Sequence, residues 1–473
     1  MGGRIGNLSD LFSNERAVLI VFVVFVLLTA FTGGGSRSDI DGLLILRPAA
    51  VLVCGYALVV HGRSCVQKVK LPLAVVLALM ALCLLHLIPL PPAIWTSLPG
   101  REAIVELSGA LGMSDVWRPL SLDTNRTWNS FFALFVPLAA ILIIAGVSEK
   151  QRHLVFSLLF CVALISLALG VMQLIGSRQL YLYEITNIGR PVGLFSNRNH
   201  QAVLLAWMIP ASVWLAAQWL GRNQVSTSTY LGLAFLYLLI IFLIFLNGSR
   251  AGFLLVLPAT AMAVWLAGVL FKRDISDKGK AHERRLRVLK YAGIGVGALL
   301  LVFAVALLTA DRQTALSRIF EGNIDADQRA ELLPLFWQML GDFFPWGSGM
   351  GSFESVYRTY ESVEMLSTRY LNQAHNDLAQ ILIEGGAPAL LLIFTVAVWF
   401  VRRAWAVLRE PSNRIKADGV FFGGSILLWL LASLADYPLR APLSAVFVAI
   451  LSVEFARLAG HAKSEGLAAR STR

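Results

Sequence analysis

Apolar residues come in long unbroken blocks, such as VLIVFVVFVLLTAF at 18–31 and LGLAFLYLLIIFLIF at 231–245, with short polar stretches between them. A helix of roughly 17–25 such residues crosses a bilayer core of about 30 Å. The pattern predicts spans near 17–32, 43–60, 71–90, 131–147, 154–174, 201–217, 229–247, 251–270, 290–310, 375–400, 417–435 and 441–457. The predicted fold is therefore all-α: a polytopic membrane helical bundle of about 12 transmembrane helices, read as a single integral membrane domain over 1–473. The first run lacks the small-residue cleavage site of a signal peptide and is followed at once by a second span, so it is read as a retained helix.

With both termini placed in the cytoplasm, 271–289 and 401–416 become basic cytoplasmic loops, and 91–130, 175–200, 248–250, 311–374 and 436–442 face outward. The longest outer element is 311–374, between the ninth and tenth spans. Its stretch RAELLPLFWQMLGDF (329–343) carries Leu332, Leu335, Phe336 and Met339 at helical spacing, which predicts an amphipathic helix lying on the membrane or over a cavity.

Composition agrees with the pattern. Of the 473 residues 57% are hydrophobic and 15% charged, against about a quarter charged in a soluble domain. The net charge of +11 would suit nucleic acid if it were exposed on a soluble surface. Every lysine, however, falls on the predicted cytoplasmic side, as the positive-inside rule expects, so no nucleic-acid partner is implied. The outer segments keep arginines alone. Each taken singly fits a helix-end anchor in the headgroups. As a set they suit an anion, because the planar guanidinium fork matches phosphate and carboxylate. Cys54, Cys65, Cys83 and Cys161 show no metal-ligand spacing and no disulfide framework. Neither a P-loop nor a pair of carboxylates suited to a divalent ion appears, so neither ATP nor a metal is indicated.

Three stretches carry candidate chemistry. In LNQAHNDLAQILIEGG (371–386), a helix begun at His375 would align Ala379, Leu382 and Gly386 below it within about 40°. Asn376, Asp377, Gln380 and Glu384 would form an adjoining polar stripe reaching into the membrane. Ionisable groups at such depth face a bundle interior or a water-filled cavity. In LNGSRAGFLL (246–255) the chain reverses over Gly248, Ser249 and Arg250, setting Arg250 beside the unpaired N–H groups of a helix start, a compact anion site. In YEITNIGRPVGLFSNRNHQAVLLA (183–206), Arg190, Asn197, Arg198, Asn199 and His200 cluster before a span; ordinary turn and cap chemistry also accounts for Asn197 and Asn199. The glycines of WGSGMGSF have no strand before them, so a dinucleotide fingerprint is excluded.

The ordered set PLSLDTNRTW (119–128), RPVGLFSNRNHQA (190–202), NGSRAGF (247–253), Arg329 to Trp337 with PWGSGMGSF after it, AHNDLAQILIEGGAP (374–388) and ADYPLRAP (435–442) resembles the O-antigen ligase and polymerase superfamily of bacterial envelope enzymes. The resemblance implies a GT-C-like glycosyltransferase architecture in the bacterial inner membrane. It implies glycan transfer from undecaprenyl diphosphate to a sugar hydroxyl at the periplasmic face, without metal or cofactor. The acceptor would be a lipid-linked repeat (polymerase) or lipid A–core (ligase), with membrane lipids and other polysaccharide-assembly proteins as partners. Ala389 stands where ligase-like members carry a second glycine, and with the extended loop 91–130 it tilts the balance toward a polymerase.

Such a reaction develops charge on the leaving diphosphate, which preorganised cations stabilise. Arg250, Arg329 and Arg318 are the candidates for that role. The acceptor hydroxyl needs a base, for which His375 is the first candidate, as base or positioning group, and Glu384 the second. Arg190, Asn199, His200, Asn376 and Arg440 complete the set as substrate-binding candidates. The rival class is an anion transporter or a lipid flippase. Ionisable residues at mid-membrane depth and matched broken helices would mark it, whereas the basic candidates here sit at outer helix ends.

Overall fold

The computed structural model describes residues 15–176, 178–220, 226–271, 324–363 and 371–471, and is 76% helical with almost no strand. In chain order the main helices are α1 (Glu15–Thr32), α2 (Leu43–Lys68), α3 (Lys70–Leu87), α4 (Thr124–Ala133), α5 (Phe135–Gly146), α6 (Arg152–Ile175) and α7 (Arg198–Leu220). They continue with α8 (Thr227–Asn247), α9 (Arg250–Leu270), α10 (Ile324–Phe343), α11 (Phe353–Tyr360), α12 (Asp377–Leu408), α13 (Asn413–Ala432) and α14 (Pro442–Ser471). Between α3 and α4, β1 (Pro89–Leu90) and β2 (Arg118–Pro119) pair antiparallel, Pro89 opposite Pro119 and Leu90 opposite Arg118.

Among the described residues, ten helical segments are long and apolar enough to cross a membrane, and the chain is an integral membrane protein. The span expected at 290–310 lies outside the described residues, and that at 441–457 is the first part of α14. The span expected from 131 starts earlier, at Thr124, because Asp123 caps the polar turns that precede it: its Oδ1 accepts from the Arg126 N–H at 3.0 Å.

The chain divides into two compact units, one of Met1–Ser148, Gln328–Ala406 and Ser433–Arg473, the other of Glu149–Asp327 and Val407–Ala432. The first unit is built around α5, an uninterrupted apolar helix buried from Leu138 to Ala145 and packed by α1, α2, α3 and α14. Such a helix leaves its last carbonyls without intrahelical donors. Arg457 of α14 supplies them. Its Nη2 donates to the carbonyls of Ile144 and Ala145 at 2.8 and 2.9 Å, while Nη1 pairs with buried Glu454 at 2.6 Å. The amphipathic helix expected over 329–343 is α10. Its apolar side, Leu332, Phe336 and Met339, is covered by Phe353, Val356, Ala374 and Ile383, so it packs on protein.

The second unit is centred on α7, buried on every side from His200 to Ala211 and packed by α6, α8, α9 and α13. Trp214 stacks on Phe421 at 4.7 Å and its indole N–H donates to Asp418 at 2.8 Å. Arg152 stands 3.7 Å from the same carboxylate and over the Phe422 ring. Ser226 and Ser249 cap α8 and α9.

Replacing Arg457 takes its donor from Ala145 O, leaves Ile144 O with the Val147 N–H alone, and leaves Glu454 buried without its guanidinium. Breaking one side of such a buried pair costs about 3–5 kcal/mol. Arg457→Met should therefore lower the thermal midpoint of the detergent-purified protein sharply, and an unchanged midpoint would count against the capping role.

Candidate functional site

The candidate site in the first unit is organised by a break in α12. Gly386 sits at φ 55, ψ −143, inside an otherwise continuous helix, and Pro388 follows two residues on. The Ala387 N–H leaves the helix to donate to the Pro345 carbonyl at 2.7 Å, and Pro388 has no N–H. The carbonyls of Ile383 and Glu384 thereby lose their i+4 donors. The glycine-rich turn after α10 takes both: Ser348 N–H donates to Ile383 O at 3.0 Å and Gly349 N–H to Glu384 O at 2.9 Å. This approach tolerates no side chain at the two facing glycines. A Cβ on Gly386 would strike the Pro345 carbonyl, and one on Gly347 (φ 83) the Glu384 carbonyl. On its other side the turn is held by His86 Nδ1, which accepts from Met350 N–H at 3.1 Å, and by Thr127 Oγ1, which donates to Met350 O at 2.6 Å.

His375 lies two residues before α12, not on it. Asn376 is the cap: its Oδ1 accepts from Ala379 N–H at 3.0 Å and its Nδ2 donates to Leu434 O at 3.2 Å. The helical projection from His375 is thereby corrected. The residue adopts φ 48, outside the helical region, which carries its ring away from the face of Ala379 and Leu382 toward residues 436–437. There Nδ1 meets Asp436 Oδ1 at 2.9 Å, and the ring meets Tyr437 edge-on at 4.8 Å between centroids. The Asp436 side chain is 2% exposed and that of His375 26%. Against an ionised carboxylate, which only accepts, the neutral imidazole has Nδ1 carrying the shared proton and the lone pair on Nε2. A base so oriented can take the proton of a hydroxyl brought to Nε2.

The polar stripe of α12 is real but internal. Glu384, fully buried, accepts at Oε1 from Gln380 Nε2 (2.9 Å) and the Phe353 N–H (3.3 Å), and its Oε2 faces Arg440 at 3.3 Å. Asp377 accepts from Ser433 Oγ at 3.0 Å and stands 3.4 Å from Arg440 Nε. Burial works to discharge Arg440, but the two carboxylates together hold its pKa above the ordinary arginine value. Glu384 thus has a cation and two donors where the sequence suggested a base.

Arg190, Asn199, His200 and Arg250 belong to the second unit. There the segment before α7 is pinned: Gln173 Oε1 accepts from Val192 and Gly193 N–H (2.9 and 2.8 Å), and Ser166 Oγ from Leu194 N–H (3.0 Å). Asn247 Nδ2 ties the segment to the α8–α9 turn through the carbonyls of Pro191 and Arg198, each at 2.9 Å. Both guanidinium groups of Arg190 and Arg198 come within 4 Å of the space beside Gly248, and exposed Arg250 opens α9 from the same turn. Arg190 Nη1 also donates to the Leu246 carbonyl at 3.3 Å, and a helix start with guanidinium groups beside it can hold an anion. His200 is buried against Phe195, and the Asn199 N–H donates to Asn197 Oδ1 at 2.8 Å. Arg329 falls within α10, and Arg318 lies outside the described residues.

Asp436 is the residue that sequence reading passed over, and Arg198, noted in the cluster before α7, is not among its site candidates. The signal for Asp436 was present: a carboxylate in a seven-residue turn, DYPLRAP, between two apolar spans.

Gly386→Ala should destabilise by more than the about 1–2 kcal/mol of a left-handed backbone, read as a lower thermal midpoint. Gly55→Ala in α2, where a Cβ meets nothing within 4 Å, should be neutral or stabilising.

No curated protein matches this chain. Residues 235–394 match the family model described as O-antigen ligase. The matched stretch runs from within α8 into α12 and contains Arg250, the glycine-rich turn, His375 and Glu384. The match gives this stretch of an integral membrane protein a similarity to the O-antigen ligase family, in line with the resemblance carried by its motifs.

Proposed function

We propose that the chain is a membrane glycosyltransferase of surface-polysaccharide synthesis, moving a glycan from undecaprenyl diphosphate to a sugar hydroxyl at the periplasmic face of the bacterial inner membrane. The observation that supports this best is the His375–Asp436 pair inside and beside the family-matched segment. His375 Nε2 takes the proton of the acceptor hydroxyl as its oxygen bonds to the anomeric carbon. The bond from that carbon to the diphosphate breaks, and its electron pair leaves on the diphosphate oxygen. Asp436 holds the ring in the required tautomer and stabilises the imidazolium that forms. Arg250, with Arg190 and Arg198, is assigned to the diphosphate, and Arg329 and Arg318 remain in that set from the sequence. Asn376, Glu384 and Arg440 act through position: they cap, brace and neutralise the start of α12 behind the histidine.

Of the two acceptors we favour a lipid-linked repeat, which makes the chain a polymerase. Both termini are assigned to the cytoplasm and 311–374 to the periplasm, and labelling of cysteines introduced in that segment tests the orientation.

A general base contributes typically 10²–10⁴-fold. In a deletion strain, His375→Ala should reduce surface polymer by at least about 100-fold on gels of cell-surface glycan, with Asp436→Asn also defective. Wild-type polymer from His375→Ala would remove the base assignment, and wild-type polymer from Arg250→Ala the diphosphate assignment. In the full deletion, single-repeat caps identify a polymerase, and polymer stranded on the carrier lipid a ligase.

A further inference from the structure

The first unit holds a cavity of about 450 Å³ that the transfer reading does not use. It opens where the starts of α2, α5, α12 and α14 converge, and Gln373 and Asp377 form part of its wall while His375 does not. The volume lies in the range of roughly 300–1,000 Å³ typical of small-molecule sites. That is the size of a sugar headgroup.

Its charges are nearly matched, and the mismatch is informative. Among the described residues, three of its arginines face carboxylates that also line it: Arg37 with Asp39 at 2.5 Å, Arg126 with Glu354 at 2.6 Å and Arg440 with Asp377 at 3.4 Å. The fourth, Arg47, faces none. It stands one turn inside α2, a membrane-spanning segment, and its Nη2 donates to the amide oxygen of Asn129 at 2.6 Å. Its Nε is buried with no partner among the described residues. A guanidinium inside a span without a counter-charge is costly, and groups so placed mark ligand paths. Around it, Asn129, Asn372, Gln373 and Ser130 present amides and a hydroxyl suited to sugar hydroxyls, while Leu79 and Ile381 form an apolar wall for a ring face.

We propose that this cavity binds an anionic saccharide, a sugar carrying a phosphate or a carboxylate, with the anion on Arg47. The site stands on its own lining and does not depend on His375 acting as a base. One ligand chemistry has two sources here, a phosphate-bearing sugar and the headgroup of an ordinary anionic phospholipid, and the experiment separates them.

The full chain is placed in nanodiscs of phosphatidylcholine and titrated by ligand-observed NMR with glucose 1-phosphate, glucuronate, glucose and inorganic diphosphate. Saturable binding of either anionic sugar, at least tenfold tighter than glucose, is the expected result. Arg47→Gln should weaken it at least tenfold, Arg47→Lys should retain part of it, and His375→Ala should leave it unchanged even if transfer is lost. The inference is overturned if glucose binds as well as the anionic sugars or none binds. It is equally overturned if Arg47→Gln, with a wild-type thermal midpoint, binds normally. Tighter binding of inorganic diphosphate than of either sugar, or loss of sugar binding when phosphatidylglycerol is added to the disc, would assign the cavity to a plain phosphate or a lipid headgroup instead.

Discussion

The first unit depends on a pair of carbonyl groups that a helix gives up. Where α12 breaks at Gly386, Ile383 and Glu384 present their oxygens sideways, and the glycine-rich turn docks on them through the N–H groups of Ser348 and Gly349 and the Ser348 hydroxyl. In a membrane protein an unmet carbonyl costs several kcal/mol, so break and turn are obligatory complements. The turn in turn receives Thr127 of α4 and His86, and α11 leaves from it to meet the Glu384 side chain. One irregularity in one helix thus fixes several outer segments.

The same economy governs the charges. A carboxylate or guanidinium taken from water must meet its opposite with good geometry. Asp377 and Glu384 share Arg440, Glu454 has Arg457, and Asp418 has Arg152 together with an indole N–H. Polar residues in the spans therefore serve to join helices to one another and, at Arg440, to a turn. Against that background His375 is distinctive because, among the described residues, its second ring nitrogen has no such duty. Its pairing with Asp436 is oriented, one-sided and partly open.

The spans were legible because twenty apolar residues in a row have few other fates, and α10 was legible from the spacing of Leu332, Phe336 and Met339. His375 was legible as an isolated titratable group at the mouth of a span. Its conformation was not: a helical projection extends the periodicity of α12 backward, and nothing in the local spacing reveals that Asn376 takes the cap and turns the preceding backbone over. Asp436 escaped because it lies 61 residues from its partner. The polar stripe at Asp377, Gln380 and Glu384 was read correctly as buried, but its partner Arg440 comes from another turn, and sequence alone cannot tell a buried base from a buried ion pair. Gly347 is needed for close contact with the broken helix, and Gly349 and Gly351 for close contact with Ser121 and α4; these demands come from distant segments and cannot be read from the local spacing.

The left-handed backbone of His375 has a consequence for how the position tolerates change. A side chain other than glycine or asparagine held at φ 48 raises the energy of the folded chain, so the histidine is kept at some expense to the fold. Glycine at 375 would relax the backbone while removing the imidazole. Under the transfer reading proposed above, stability and function pull in opposite directions at this residue, and the most stable form of the protein need not be the working one. A chain disarmed in this way keeps its cavities and helices intact and offers a natural means of holding substrates in place for structural study.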